Sequence, residues 1–172
     1  VYALFDNTAS NNVAVGRDAL KLNTTGGNNT AVGKGALDAN TTAASNTAVG
    51  AACLTTNTTG TLLVAMGVSA LEGNTTGSNN IAIGCNSLSV NTTADNNVAV
   101  GTNALVANTT GGTNTCVGGS AGDAITTGNG NTLLGYSTGT YGDNLTTGSG
   151  NTLIGAYTDS TTAGGNQAHG LG

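Results

Sequence analysis

Short apolar triplets bounded by asparagine and glycine recur along this chain at a fixed interval. The fullest version is Asn79-Asn80-Ile81-Ala82-Ile83-Gly84, and its closing glycine returns at Gly16, Gly33, Gly50, Gly67, Gly84, Gly101, Gly118 and Gly135, each time after 17 residues. Gly155 follows after 20 residues, and Gly170 after 15 in a degenerate copy that reads Asn166-Gln167-Ala168-His169. A short fixed period is the signature of a solenoid, in which each repeat is one turn that buries its apolar side only by stacking on its neighbours. Each copy holds two apolar pieces flanked by Gly and Asn, which read as short strands joined by turns. Glycine and β-branched residues interrupt every window before a helix could accumulate three turns. The expected fold is all-β, a parallel β-solenoid of about ten 17-residue rungs: a partial rung over 1–12, regular repeats over 13–135 and irregular rungs over 136–172.

The columns of the repeat carry separate expectations. The position before the glycine is always aliphatic (Val15, Val32, Val49, Met66, Ile83, Val100, Val117, Leu134, Ile154), and strand alternation puts the residue two earlier on the same face. That face is expected to fill the solenoid. The residue between them, Ala14, Ala31, Ala48, Ala65, Ala82, Ala99 and Cys116, then points the other way, into a tight contact either in the core or between chains. Leu20, Leu37, Leu54, Leu71, Leu88 and Leu105 are expected to close the core opposite the valine column. At Gly122 and Gly139 that leucine lapses, which predicts a thinner or opened rung.

Asn23, Asn40, Asn57, Asn74, Asn91 and Asn108 make the other strong column, each followed by two threonines. Stacked asparagines can hydrogen-bond along the axis as in cross-β ladders, and Asn also suits turns. Each Asn-Thr-Thr is at the same time a glycosylation sequon, as are the sites headed by Asn28 and Asn144. The residues leave both readings open.

Composition sharpens this picture. Aromatic residues make up 3%, charged residues 6%, and there are 29 glycines with no proline, so bulky side chains for one thick core are lacking. Disorder would fit such a composition, but it gives no reason for Val, Ile and Leu to keep a period. The net charge is −5, all three cations (Arg17, Lys21, Lys34) lie in the first two repeats, and none follows Gly35. Binding to a phosphate backbone needs clustered cations along a face, so no nucleic-acid partner is expected. No apolar run approaches the roughly 18 residues of a membrane span, so no membrane insertion is expected in this segment. Val1 falls in mid-repeat, which suggests a piece of something longer. Cys53, Cys85 and Cys116 stand 32 and 31 residues apart, about two rungs each, too far for disulfides between them. Cys53 and Cys116 take alanine positions and read as buried fillers, whereas Cys85 sits in a variable column.

The Asn-x-x-Ala-Ile/Val-Gly core, from about Asn11 to Gly155, resembles the head repeats of YadA-type trimeric autotransporter adhesins and related repeats of bacteriophage tail fibres. The resemblance implies a left-handed β-roll, three chains packed together, and attachment to a host surface. It places the protein outside the cell, on a cell surface or virion, as the shaft or head of an adhesin or tail fibre, with itself and a host glycan or receptor as partners. This repeat is longer than the family's usual one by its Asn-Thr-Thr-Gly.

Catalysis finds no footing. The one His, His169, lies in the degenerate last copy, and no Ser or Cys pairs with a repeated base. The acidic residues do not form the Gly-Gly-x-Gly-x-Asp ladder of calcium-binding rolls. No enzymatic activity, metal or cofactor is expected. Alternatives to the adhesin are a subunit of a glycosylated extracellular filament and an ice-binding solenoid. Against the latter, paired adjacent threonines in a strand would face opposite ways. A candidate recognition site is the irregular copy, where Tyr136, Tyr141, Asp143 and Tyr157 gather. Aromatic rings with polar tips are enriched at interfaces, although the same tyrosines could instead cover a rung interrupted by Gly139 and Gly142.

Overall fold

A computed structural model describes residues 2–140 and 145–160 in full and the backbone of 169–171. It is an all-β parallel solenoid whose strands are three residues long: β1 (Val13–Val15), β2 (Thr30–Val32), β3 (Thr47–Val49), β4 (Val64–Met66), β5 (Ile81–Ile83), β6 (Val98–Val100), β7 (Thr115–Val117), β8 (Thr132–Leu134), β9 (Thr152–Ile154) and β10 (His169–Leu171). They stack in chain order in one sheet, every pair parallel. The register puts like on like: Ala31 lies against Ala48, Ala65 against Ala82. At the end, His169 pairs with Thr152 and Gly170 with Leu153. The last strand therefore keeps the 17-residue offset, and Gly170 stands in the alanine column rather than in that of the closing glycines.

The second apolar piece of each copy is a chain of turns, not a strand. Its backbone still bonds from rung to rung, as Leu20 N–H does to Ala36 O (3.0 Å) and Leu37 N–H to Cys53 O (3.0 Å). The leucines of this piece adopt left-handed backbone angles, with φ of 49° to 53° from Leu20 to Leu105. That conformation is unfavourable for a branched side chain, and here complete burial of the leucine offsets it.

The strand faces are the reverse of the sequence expectation. In β2, β3 and β6 the central alanine is buried and its neighbours are only partly covered. Ala31, Ala48, Ala65, Ala82 and Ala99 are wholly buried within the single chain, while Val15 is 57% and Ile83 38% exposed. The reason is the narrowness of the rung. Each turn sends inward a strand alanine, the small residue and leucine of the turn (Ala36 and Leu37, for example) and two asparagines (Asn40 and Asn46), and these together leave room only for a methyl group from the strand.

Where the leucine lapses, the rung is not opened. The strand residue grows to Cys116 and then Leu133, both buried, and a side chain on Gly122 would begin 2.8 Å from Cys116 Sγ. One on Gly139 would begin 2.4 Å from Leu133 Cδ2. Volume moves from one wall of the core to the other, keeping the interior filled.

The closing glycines have one requirement in common. At Gly84, with φ of 133°, a Cβ would lie 2.5 Å from the carbonyl oxygen of Gly101 in the next rung, so neither the angle nor the space admits a side chain.

Candidate functional site

Four surface and core features stand out, three of them built from residues singled out above. The first is a pair of buried asparagine ladders. Asn40 Nδ2 donates to Asn23 Oδ1 (2.7 Å), and Asn57, Asn74, Asn91 and Asn108 each donate likewise to the rung before. Each Nδ2 also donates to a carbonyl three residues on, Gly77 O for Asn74 and Gly111 O for Asn108. The column closes at Ile125 and Leu145, which replace asparagine. The second ladder runs through Asn29, Asn46, Asn80, Asn97, Asn114, Asn131 and Asn151, also buried; from Asn29 to Asn131 their side-chain oxygens accept from the backbone N–H of the following rung, as from Asn97 to Asn80 (2.8 Å). Leu63 interrupts it.

This geometry corrects the glycosylation reading for Asn23, Asn40, Asn57, Asn74, Asn91 and Asn108. Their amide nitrogens are fully buried and bonded inside the rung, and a glycan there is incompatible with this fold. Of the other sequons, Asn28 is exposed, and Asn144 lies outside the described residues.

The threonine pairs supply the second feature. They sit in a bend, not a strand, between an inward asparagine (Ile125 and Leu145 in the last two) and an inward glycine or alanine, so both members turn outward. The expectation that adjacent threonines face opposite ways is thus overturned. The first of the pair is tied to the next rung at Thr24, Thr58, Thr75, Thr92, Thr109 and Thr126, with Thr75 Oγ1 donating to Thr92 O (3.0 Å) and Thr92 Oγ1 to Thr109 O (3.2 Å). The second (Thr25, Thr42, Thr59, Thr76, Thr93, Thr110, Thr127 and Thr147) is exposed in a single row.

The tyrosines form the third. Tyr136 and Tyr157 meet edge to face, ring centroids 5.5 Å apart at 76°, and are 56% and 55% exposed. Tyr157 N–H donates to Tyr136 O (2.9 Å), which locks one backbone to the other. Gly119 leaves space beside the Tyr136 ring, whose Cδ2 lies 3.2 Å from where a Cβ would be. Such a pair offers ring faces and two hydroxyls to a sugar or a protein surface. Tyr141 and Asp143 lie outside the described residues.

A cleft of about 320 Å³ near the first rungs is the fourth, and it was not singled out from the sequence. Arg17, Asp18, Lys34, Gly35, Asp38, Ala51, Ala52 and Thr55 line it. Asp18 pairs with Arg17 Nε (3.2 Å) and Lys21 Nζ (3.9 Å). Asp38 Oδ1 is buried without a hydrogen-bond partner. Burial raises the Asp38 carboxyl above its usual range, with nearby Lys21 opposing and Asp18 adding to the shift. The signal in the sequence was the confinement of every cation to the first two repeats, with Arg17 and Lys34 in one column.

The cysteines are all free, Cys53 and Cys116 buried and Cys85 exposed. Burial pushes the Cys53 thiol up to about 11 and that of Cys116 up to about 12, which makes both poor nucleophiles. Among the described residues no group of three or more His, Cys, Asp and Glu is placed to hold a metal ion, and no helix is long and apolar enough to cross a membrane. No protein-family model, curated protein or solved structure matches the chain.

Proposed function

We propose that this chain is a segment of a rigid extracellular rod, the shaft or head of a surface adhesin or virion fibre, built from several parallel copies and without enzymatic activity. The observation that carries the reading is the outer face of the sheet. Two columns, from Val13 to Thr152 and from Val15 to Ile154, run its length without a charged residue, and Val13, Val15, Met66, Ile83, Leu134 and Ile154 all expose large aliphatic surface. Nine strands at about 4.8 Å spacing make this strip roughly 38 Å long. The column from Val15 to Ile154 is aliphatic throughout and the other mixes valine and isoleucine with threonine; isolated soluble chains rarely leave so continuous an aliphatic column uncovered. A second copy presents the same period and the same side chains, and the three-chain arrangement implied by the adhesin resemblance would cover the strip. Tyr136 and Tyr157 give such a rod an aromatic contact for a host glycan or receptor.

Sedimentation velocity tests it. The wild-type chain is expected to sediment as a trimer, and the double variant Ile83→Asp, Val100→Asp as a monomer with unchanged β-sheet circular dichroism, since both side chains point outward. A wild-type chain that stays monomeric throughout the micromolar range would remove the argument.

The threonine rows favour a second reading, an ice-binding solenoid. Two threonines per rung, the second exposed in all eight rungs and the first with its hydroxyl fixed in six of them, repeat on a stiff backbone. Thermal hysteresis that disappears in Thr59→Tyr, Thr76→Tyr would establish it. Ordinary colligative freezing of the wild-type protein would dismiss it.

A further inference from the structure

We propose that the cleft walled by Arg17, Lys34 and Asp38 binds one carboxylated sugar residue of an acidic polysaccharide. It is a separate site from the tyrosine pair and from the apolar strip, and it stands whether or not the chain assembles into a rod.

Charge placement is the first support. The chain carries eight acidic and three basic residues, and all three basic ones surround or adjoin this cleft. Against them stand Asp18 and Asp38, so the charges lining the cleft balance, and Lys21, paired with Asp18 beside it, brings the surroundings to one positive charge while the chain as a whole is negative. Asp18 engages Arg17 through Nε and so holds the guanidinium in place; the Arg17 side chain remains 56% exposed. Lys34 makes no ion pair among the described residues and is exposed. A fixed guanidinium fork with an ammonium one rung away suits a planar carboxylate, which accepts hydrogen bonds from both.

The shape is the second support. A volume of about 320 Å³ is at the small end of ligand sites and holds a single sugar ring. The space exists because Gly35, Ala51 and Ala52 are small; one rung further on, the positions of Ala51 and Ala52 are taken by Val68 and Ser69.

The third is Asp38. Its Oδ1 is buried without a partner, a cost the fold tolerates, while the carboxylate lines the cleft, where its accessible Oδ2 can accept from a donor on the ligand. Sugar hydroxyls are such donors. An acceptor beside two cations suits a polyhydroxylated acid, which brings several hydroxyl donors and a single negative charge, whereas sulfate brings no donor and hydrogen phosphate one hydroxyl with up to two negative charges for Asp38 to repel. That asymmetry selects a sugar acid over phosphate or sulfate.

The test is a titration of the 15N-labelled chain with galacturonate, galactose and inorganic phosphate, each at millimolar concentrations suited to a contact with one ring. Galacturonate is expected to shift the amides of Gly35 and Ala52 saturably, and galactose and phosphate to do so at least ten-fold more weakly. Lys34→Gln, at an exposed position that leaves folding intact, is expected to weaken galacturonate at least ten-fold. Asp38→Asn is expected to weaken galacturonate and strengthen phosphate. Absence of any galacturonate shift, equal binding of galactose, or galacturonate binding unaffected by Lys34→Gln would each overturn the proposal. Phosphate binding as tight as galacturonate would reassign the cleft to an adventitious ion.

Discussion

Ala82→Glu is expected to abolish cooperative folding, whereas Ile83→Asp, one residue along, leaves it standing. Ala82 is wholly buried in the middle strand column between Ala65 and Ala99. A glutamate there must bring a carboxylate into a core with no cation: Arg17, Lys21 and Lys34 all lie in the first two repeats. It must also place four extra heavy atoms where only a methyl group fits. Burying an unpaired charge belongs to the small class of changes that exceed about 4–5 kcal/mol, comparable with the whole stability of an ordinary domain. In a solenoid the damage also severs the nearest-neighbour coupling between the rungs on either side. Ile83 is 38% exposed on the outer face, so an aspartate there keeps its water. Far-UV circular dichroism and a thermal melt of the two variants decide the matter. Loss of folding by Ile83→Asp with retention by Ala82→Glu would mean that the strand faces are assigned the wrong way round.

That assignment is also where the sequence misleads. The period of 17, the strand positions and the all-β parallel architecture follow from the spacing of Gly16 to Gly135 and the triplets before them. Alternation then divides each triplet into two faces without saying which is inside. Size and hydrophobicity choose the valine face; the narrowness of the rung chooses alanine. The clue lay in two exchanges within the repeat, since Cys116 accompanies Gly122 and Leu133 accompanies Gly139, as residues sharing one small space must do. The threonine pairs were misread because strand alternation was applied to a bend, where Asn23 and Gly26 already occupy the inward positions. The tyrosine cluster was legible in part, with Tyr136 and Tyr157 brought into contact. The cleft was not, because its lining combines positions 1, 2 and 5 after the closing glycine from different rungs, and no single copy contains it.

Asn74→Ala is expected to destabilise the chain by about 2–6 kcal/mol more than Asn108→Ala, although both residues are fully buried and belong to the same ladder. The difference lies in which groups each leaves without a partner. Asn74 Nδ2 donates to Asn57 Oδ1 (2.9 Å) and to Gly77 O (2.9 Å). Elsewhere the carbonyl three residues on is shared, Gly111 O for instance accepting from Asn108 (2.9 Å) and from Asn97 (2.9 Å). The corresponding second donor to Gly77 O would come from position 63, and that residue is Leu63. Removing the Asn74 amide therefore orphans two buried acceptors, at roughly 1–3 kcal/mol each, and takes from Asn91 Nδ2 one of its two acceptors, leaving it Ala94 O, which adds to the cost on the same side. Removing that of Asn108 leaves Gly111 O its bond to Asn97. It strands Asn91 Oδ1 but also deletes Asn108 Oδ1, which is already unpartnered because Ile125 ends the ladder. The count of orphaned groups does not change. The two truncations lose the same side-chain volume, so cavity terms largely cancel in the comparison. Urea melts of both variants measure the difference directly. Equal destabilisation would show that the amides act as spacers and that their hydrogen bonds do not set the stability of the stack.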